Sequence, residues 1–156
     1  MCLKKFISIK MLVILLAAAT VTGCSFFGPR VSVDGITLDV ALRANDDSPI
    51  AVDFVAANDA DLLIKLSDLT AKQWFANREQ YKRDFRQSLS VWGLELVPGQ
   101  LIESSIFPLD GKPSLGLLVF ADYQSPGAHR LRIEDQRTIR LKFDSREMTP
   151  LDQNTR

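Results

Sequence analysis

The sequence is poor in the residues from which most enzymes build their chemistry. Its 156 residues include two cysteines, Cys2 and Cys24, and a single histidine, His129. So few thiols give no disulfide framework. A zinc site, which wants three or four nitrogen or sulfur ligands, has one imidazole to draw on. Charge of one sign is also lacking: 19 Lys and Arg stand against 19 Asp and Glu, which gives nothing for nucleic acid to select. The longest uninterrupted apolar run, Met11 to Ala19, has nine residues, short of the roughly 20 that a membrane-spanning helix needs. There is no glycine-rich phosphate loop and no nucleophile elbow. His129 can be sketched into a triad with Asp122 and Ser125, but only their closeness in sequence supports it, and a turn histidine is the simpler reading. Asn45, Asp46 and Asp47 carry oxygens suited to calcium, yet they suit a turn equally well and lack the EF-hand spacing. The expectation is therefore a protein without enzymatic activity, cofactor or metal.

What is present begins at the N-terminus. Met1 to Lys10 is basic, the apolar run follows, and Val21-Thr22-Gly23-Cys24 closes it, the grammar of a secretory signal. Those last four residues resemble the lipobox of bacterial lipoproteins, which implies cleavage between Gly23 and Cys24 and lipid on Cys24. A diacylglyceryl thioether with an amide-linked chain such as palmitate buries methylenes at about 0.8 kcal/mol each, so anchoring is expected to be permanent. Ser25 in place of aspartate suggests delivery to an outer membrane, with the body facing the periplasm. Removing residues 1–23, with Lys4, Lys5 and Lys10, leaves 16 basic against 19 acidic residues, a net charge of −3. Cys2 leaves with the signal and Cys24 is taken by lipid, so the mature body must be held by its core alone. At 133 residues it is large enough to bury about two-thirds of its unfolded surface.

The mature chain reads mainly as strands. Residues 24–30 form a lipidated start and short tether, with Phe26 and Phe27 placed for the interface. Ile36, Leu38, Val40 and Leu42 share one parity, and Ile50, Val52 and Phe54 alternate after the Asn45–Pro49 turn, so these two strands are expected to pair antiparallel. Val31-Ser32-Val33 is a candidate hairpin partner before Asp34-Gly35. From Asp59 the period changes to about 3.6, predicting a helical insertion over 59–86. Asp59 or Asp61 can cap a first helix, and Ser67, Asp68 or Thr70 a second that runs to about Phe85. Arg78, Lys82 and Arg86 share a stripe that reads as a solvated face or as a basic binding face. Glu79 and Arg83 lie four apart in the favourable order. Trp74 and Phe75 read as core.

Strand signals then return. The parity change at Gly93 predicts a β-bulge, and Pro98-Gly99 turns the chain into a strand over Leu101–Phe107. Leu115–Tyr123, apolar on both parities, predicts a central strand with Leu117, Val119 and Phe120 in the core. Leu131 and Ile133, then Ile139, Leu141 and Phe143, alternate with Arg130, Arg132, Arg140 and Lys142, predicting a basic-faced terminal hairpin. Seven or eight short antiparallel strands broken once by helices suggest a two-sheet β-sandwich over residues 31–144, with a polar tail at 145–156.

The order of these features resembles the periplasm-facing outer-membrane lipoproteins of type VI secretion systems, the TssJ family. The residues that carry the resemblance are the lipobox, Ser48-Pro49-Ile50-Ala51-Val52 opening the second strand, Leu96-Val97-Pro98-Gly99-Gln100, the Leu115–Tyr123 run and the two closing strands. Trp74-Phe75-Ala76-Asn77-Arg78 and the long basic helix lie outside that pattern. The resemblance implies a structural component that holds the periplasmic domain of an inner-membrane secretion partner through the loop between its first two strands, here Asn45, Asp46, Asp47 and Ser48. The alternative is a pilotin-like chaperone or ligand-binding lipoprotein with an apolar groove between its sheets or beside Trp74 and Phe75.

Overall fold

The computed structural model describes residues 28–134 and 136–151. Two four-stranded sheets face each other. One has the order β4-β1-β7-β8, built from β1 (Gly35–Val40), β4 (Leu101–Ser104), β7 (Thr138–Phe143) and β8 (Met148–Pro150). The other has the order β3-β2-β5-β6, built from β2 (Ile50–Ala57), β3 (Leu89–Leu96), β5 (Gly116–Ala121) and β6 (Arg130–Ile133). The expected β-sandwich with a helical insertion is what forms. Helices α1 (Ala60–Ser67) and α2 (Ala71–Asp84) cover the outer face of the second sheet.

The inter-sheet core takes one parity from each sheet. Ile36, Leu38 and Val40 of β1 meet Ile50, Val52 and Phe54 of β2, with Val119, Leu141 and Phe143 in the same cluster. The other parity of β2 and β5, which carries Val55, Leu118 and Phe120, packs under the helices against Leu62, Leu66 and Trp74. A sheet buried on both faces needs apolar residues at both parities. That explains the Leu115–Tyr123 run. It also corrects the bulge expected at Gly93: β2 and β3 pair without interruption from Ile50↔Leu96 to Ala57↔Leu89. Trp92 and Leu94 pack on the inter-sheet core while Leu89 and Val91 pack on the helix side, so both parities of β3 are apolar without any slip.

Five further expectations change. β1 and β2 do not pair; they lie in opposite sheets, because their apolar parities face one another across the core. Likewise β6 and β7 form no hairpin: β6 pairs with β5, and β7 runs parallel to β1 from Gly35↔Thr138 to Val40↔Phe143, the one parallel ladder among the described strands. Val31 pairs with the 107–113 loop instead of β1, through Val31 N–H to the Lys112 carbonyl at 2.9 Å and an Arg30↔Pro113 bridge. The strand expected over 101–107 stops at Ser104, and Phe107 turns into the core. The segment assigned to a polar tail contains β8, whose Met148 is buried opposite Phe143.

The helices start where short oxygens permit. Asp59 accepts the Leu62 N–H at 2.8 Å. Thr70 caps α2, its hydroxyl accepting the Gln73 N–H at 3.3 Å while the Gln73 side chain accepts the Thr70 N–H at 2.8 Å, a reciprocal capping box.

Candidate functional site

The connections place the two ends of the sandwich in different roles. The described chain begins beside the start of β1, the start of β5 and the end of β6, here called the N-terminal pole. The β1–β2 loop, the β3–β4 turn and the β5–β6 loop gather at the opposite pole. Gly23 and Cys24, with Ser25, Phe26 and Phe27, lie outside the described residues.

The β1–β2 loop is a left-handed turn. Asn45, Asp46 and Asp47 have φ of 52°, 53° and 61°, a region that non-glycine residues rarely enter and that Asn and Asp tolerate best. Asn45 is 2% exposed and its side chain is fully engaged. Its Nδ2 donates to the Pro49 carbonyl at 3.0 Å and its Oδ1 accepts the Gln124 N–H at 2.7 Å. Its backbone N–H donates to the Ser145 carbonyl at 3.0 Å. Asn45 thus fastens the loop to the β5–β6 and β7–β8 connections, while Asp46 and Asp47 are exposed and Ser48 is half-buried. Asp47 accepts from Arg43 at 3.2 Å.

The apolar residues beside this loop were not legible from the pattern. Leu42 continues the buried parity of β1, yet the strand ends at Val40 and Leu42 is 83% exposed. Its Cδ2 lies 3.0 Å from where a Cβ on Gly99 would stand. Gly99, with φ +79°, turns β3 into β4 and donates to the carbonyls of Val40 and Ala41, each at 3.1 Å. Val97 and Leu101, at the two ends of that turn, are also exposed. The rim therefore combines apolar Leu42, Val97 and Leu101 with charged Arg43, Asp46 and Asp47.

The basic stripe on α2 divides. Arg78 reaches inward: its guanidinium lies 3.4 Å from the Asp53 carboxylate and 3.6 Å from Glu79, over the ring of Phe75. Lys82 donates to Glu79 at 3.0 Å. That hydrogen bond, with the positive charges of Arg78 and Arg83 near it, holds the Glu79 carboxyl below its ordinary range. Arg83, expected to meet Glu79, donates instead to the Gln80 side chain at 2.7 Å. Arg86, expected on the same stripe, lies beyond the end of α2 at Asp84 and is exposed. On the closing strands, Arg130 donates to the Leu69 carbonyl at 2.6 Å and Lys142 pairs with Asp144 at 2.9 Å, while Arg132 and Arg140 are exposed.

Asp53 itself carried no signal read from the sequence. It is 2% exposed, central in β2, and receives the Trp74 indole N–H at 2.8 Å. The available clue was the i, i+4 spacing of Trp74 and Arg78 on one helix face, which aims two donors at a single buried acceptor.

Ser125 and His129 do meet, and the geometry gives them structural work. His129 Nε2 lies 2.8 Å from the Ser125 carbonyl, so that nitrogen carries a proton and donates. It cannot also take the proton of the Ser125 hydroxyl, which donates to the Arg146 carbonyl at 2.8 Å. The His129 ring packs against Tyr123, whose hydroxyl donates to the Glu147 carbonyl at 2.9 Å. Burial, and then the negative charges of Asp144 and Glu147, push the Tyr123 phenol well above its usual range. A depression of about 490 Å³ lies beside Phe75, lined by Lys72, Asp122, Tyr123 and Gln124 among others.

No protein-family model matches this chain, and no curated protein matches it by sequence. Solved structures do match in fold. The chain is similar to Lip from Serratia marcescens, a membrane-bound component of the type VI secretion system, at 14% identity and a TM-score of 0.53, over 76% of this chain and 96% of that one. It is similar to the T6SS lipoprotein TssJ1 from Pseudomonas aeruginosa at 16% identity and a TM-score of 0.57, over 82% and 100%. A chain in the structure of the T6SS protein TssM C-terminal domain (869–1107) from EAEC matches at 13% identity and a TM-score of 0.54, over 76% and 96%. The molecule is thus a β-sandwich with an added helical layer. More narrowly, its fold is that of the type VI secretion lipoproteins, TssJ1 among them.

Proposed function

We propose that this chain is a lipid-anchored, non-enzymatic structural component of a type VI secretion machine. Lipid on Cys24 fixes it to the outer membrane, its body faces the periplasm, and it holds the periplasmic domain of an inner-membrane component of the TssM kind. The observation that carries the reading is the opposition of the two poles in a sandwich of the TssJ1 fold. Pro29 is five positions on from Cys24, with four residues between them, so the N-terminal pole lies within about 17 Å of the anchored residue. The Asn45–Ser48 loop is at the far end of β1, whose six residues span about 20 Å.

The loop therefore stands at the pole away from Pro29, where the short tether joins the body, as a bracket between a membrane and a periplasmic partner requires. Confinement to a thin layer raises the effective concentration of that partner, so modest intrinsic affinity suffices. The Leu42, Val97 and Leu101 rim supplies apolar contact, and Asp46 and Asp47 supply direction through charge.

The test is a cross-linked pull-down from native envelopes with wild type, Cys24→Ser and a Leu42→Asp, Asp46→Lys double variant. Capture of a large inner-membrane secretion component by wild type, and its loss in both variants while the domain stays folded, is the expected result. Recovery of only a secretin-type subunit or of a small ligand instead places the pilotin or carrier reading first. A functional, soluble Cys24→Ser protein overturns the anchor.

A further inference from the structure

A cavity of about 480 Å³ opens at the N-terminal pole between the Pro29–Val33 segment, the start of β5 and the end of β6. Its lining is unevenly charged. Arg30, Arg132 and Arg137 contribute cations, and Glu134 is the one carboxylate among the described lining residues. Arg30 donates to the Gly111 carbonyl at 2.8 Å. Arg137 pairs with Asp34 at 2.8 Å, but both side chains are more than half exposed, so that pair is weak and readily shared. Arg132 is exposed on the edge strand β6. Leu115, 41% exposed, adds apolar surface.

We propose that this cavity takes the phosphate headgroup of an anionic phospholipid in the leaflet that carries the Cys24 anchor, and that this second contact orients the domain. The inference rests on the lipid-anchor reading of the proposed function. Five residue steps cannot carry Pro29 more than about 17 Å from the anchor, so headgroup depth is within the cavity's reach. Guanidinium groups match phosphate oxygens by paired hydrogen bonds, and basic residues near an anionic leaflet are attracted within a Debye length. A lipid on a short tether restrains position but not tilt. A headgroup bound between β6 and the Pro29–Val33 segment fixes the tilt, with the Asn45–Ser48 loop directed away from the membrane.

The experiment uses the full-length lipidated protein in vesicles of phosphatidylcholine alone or with one-third phosphatidylglycerol. Acylation of Cys24 is first verified by intact mass. Loss of Cys2 with the signal leaves an introduced thiol unique, so a fluorophore is placed at the N-terminal pole by Ser105→Cys or at the opposite pole by Asp46→Cys, and a headgroup-attached quencher reports depth. The expected result is strong quenching of the Ser105 label in anionic vesicles, weaker quenching in neutral ones, and none of the Asp46 label in either. Arg132→Glu should return the anionic signal to the neutral level, and Arg132→Lys should keep most of it. Arg132 is exposed, so an unchanged melting temperature serves as the folding control. Quenching that ignores lipid charge, or that survives both Arg132→Glu and Arg137→Glu, overturns the headgroup site while leaving the anchor standing. An unmodified Cys24 overturns the anchor and this site together.

Discussion

The Trp74 indole N–H donates to the Asp53 carboxylate at 2.8 Å in the layer between α2 and the second sheet, with both residues nearly inaccessible. This contact fixes how the helical insertion sits on the sandwich. The indole also stacks on Phe120 at 5.2 Å and on Tyr81 at 5.8 Å, so one side chain joins β5, α2 and β2. Arg78 adds a second donor from one turn along the helix.

Gly93 gives that contact its room. It lies opposite Asp53 on β3, and a Cβ there would stand 2.5 Å from the Asp53 carboxylate oxygen. Gly93→Ala is expected to cost about 1–3 kcal/mol by overpacking. Asp53→Ala is expected to cost about 2–3 kcal/mol by leaving the indole N–H unpaired. In the double variant the clash is gone, so its cost should fall short of the sum of the two single costs by about 1 kcal/mol or more. Urea denaturation of the four proteins measures the coupling, and strict additivity would show that the carboxylate does not constrain Gly93.

The two ends of the basic stripe should separate in stability. Arg78→Met removes a partner of a buried carboxylate and is expected to cost about 1–2 kcal/mol, less than for a fully buried pair because the arginine is 40% exposed. Arg86→Ala, at an exposed position, should change stability by no more than about 0.5 kcal/mol. Thermal melts of both variants decide whether the stripe is one feature or two.

Asn45 and Asp47 are neighbours in the candidate docking loop with opposite expected behaviour. Asn45→Ala leaves the Gln124 N–H without its acceptor and puts alanine in a left-handed conformation; a loss of about 2–3 kcal/mol is expected. Asp47→Ala breaks only an exposed pair with Arg43 and should leave the melting temperature nearly unchanged. A partner-binding defect in Asp47→Ala with unaltered stability would assign that carboxylate to the interface; normal binding would remove it.

Acid should act through Asp144. Hydrogen bonding from Lys142, and then from the Ser145 N–H, holds its carboxyl below the ordinary range. A depressed carboxyl contributes stability above its unfolded pKa of about 3.9 and loses it as pH falls through the folded value. Lys142 is shifted up by the same partner, so its share is complete below its unfolded pKa of about 10.4 and fades only as pH rises through the folded one. Melting temperature against pH should therefore be flat for this pair from about pH 5 to 9 and fall below about pH 4. Asp144→Asn should flatten part of that acid limb, as should high salt because both side chains are half exposed. An acid limb identical in wild type and Asp144→Asn would show that the pair contributes nothing.

Local rules read the elements well because the forces that set them are local. The alternation Ile36, Leu38, Val40 marked β1, the switch to a 3.6 period after Asp59 marked the helices, and Asp59 and Thr70 were among the caps proposed for them. The Asn-Asp-Asp composition marked the turn, since those residues best tolerate a left-handed backbone. Pairing was less legible. Period two says that a strand has an apolar face but not which strand lies beside it. β1 and β2, adjacent in sequence, are separated across the core, and β7 joins β1 in parallel from about a hundred residues away.

The sequence by itself determined a β-rich body with one helical insertion, a central strand apolar on both parities and a lipobox-like start, because periodicity, turn chemistry and capping act over a few residues. Only the tertiary structure decided that Asp53 is buried beneath Trp74 and Arg78, that Leu42 leaves the buried face, and that the Asn45 loop stands at the pole opposite the Pro29–Val33 segment. Each of these depends on which distant segments share a surface. That is settled by how apolar faces from both sheets and the helices fill one core, not by any residue's neighbours in sequence.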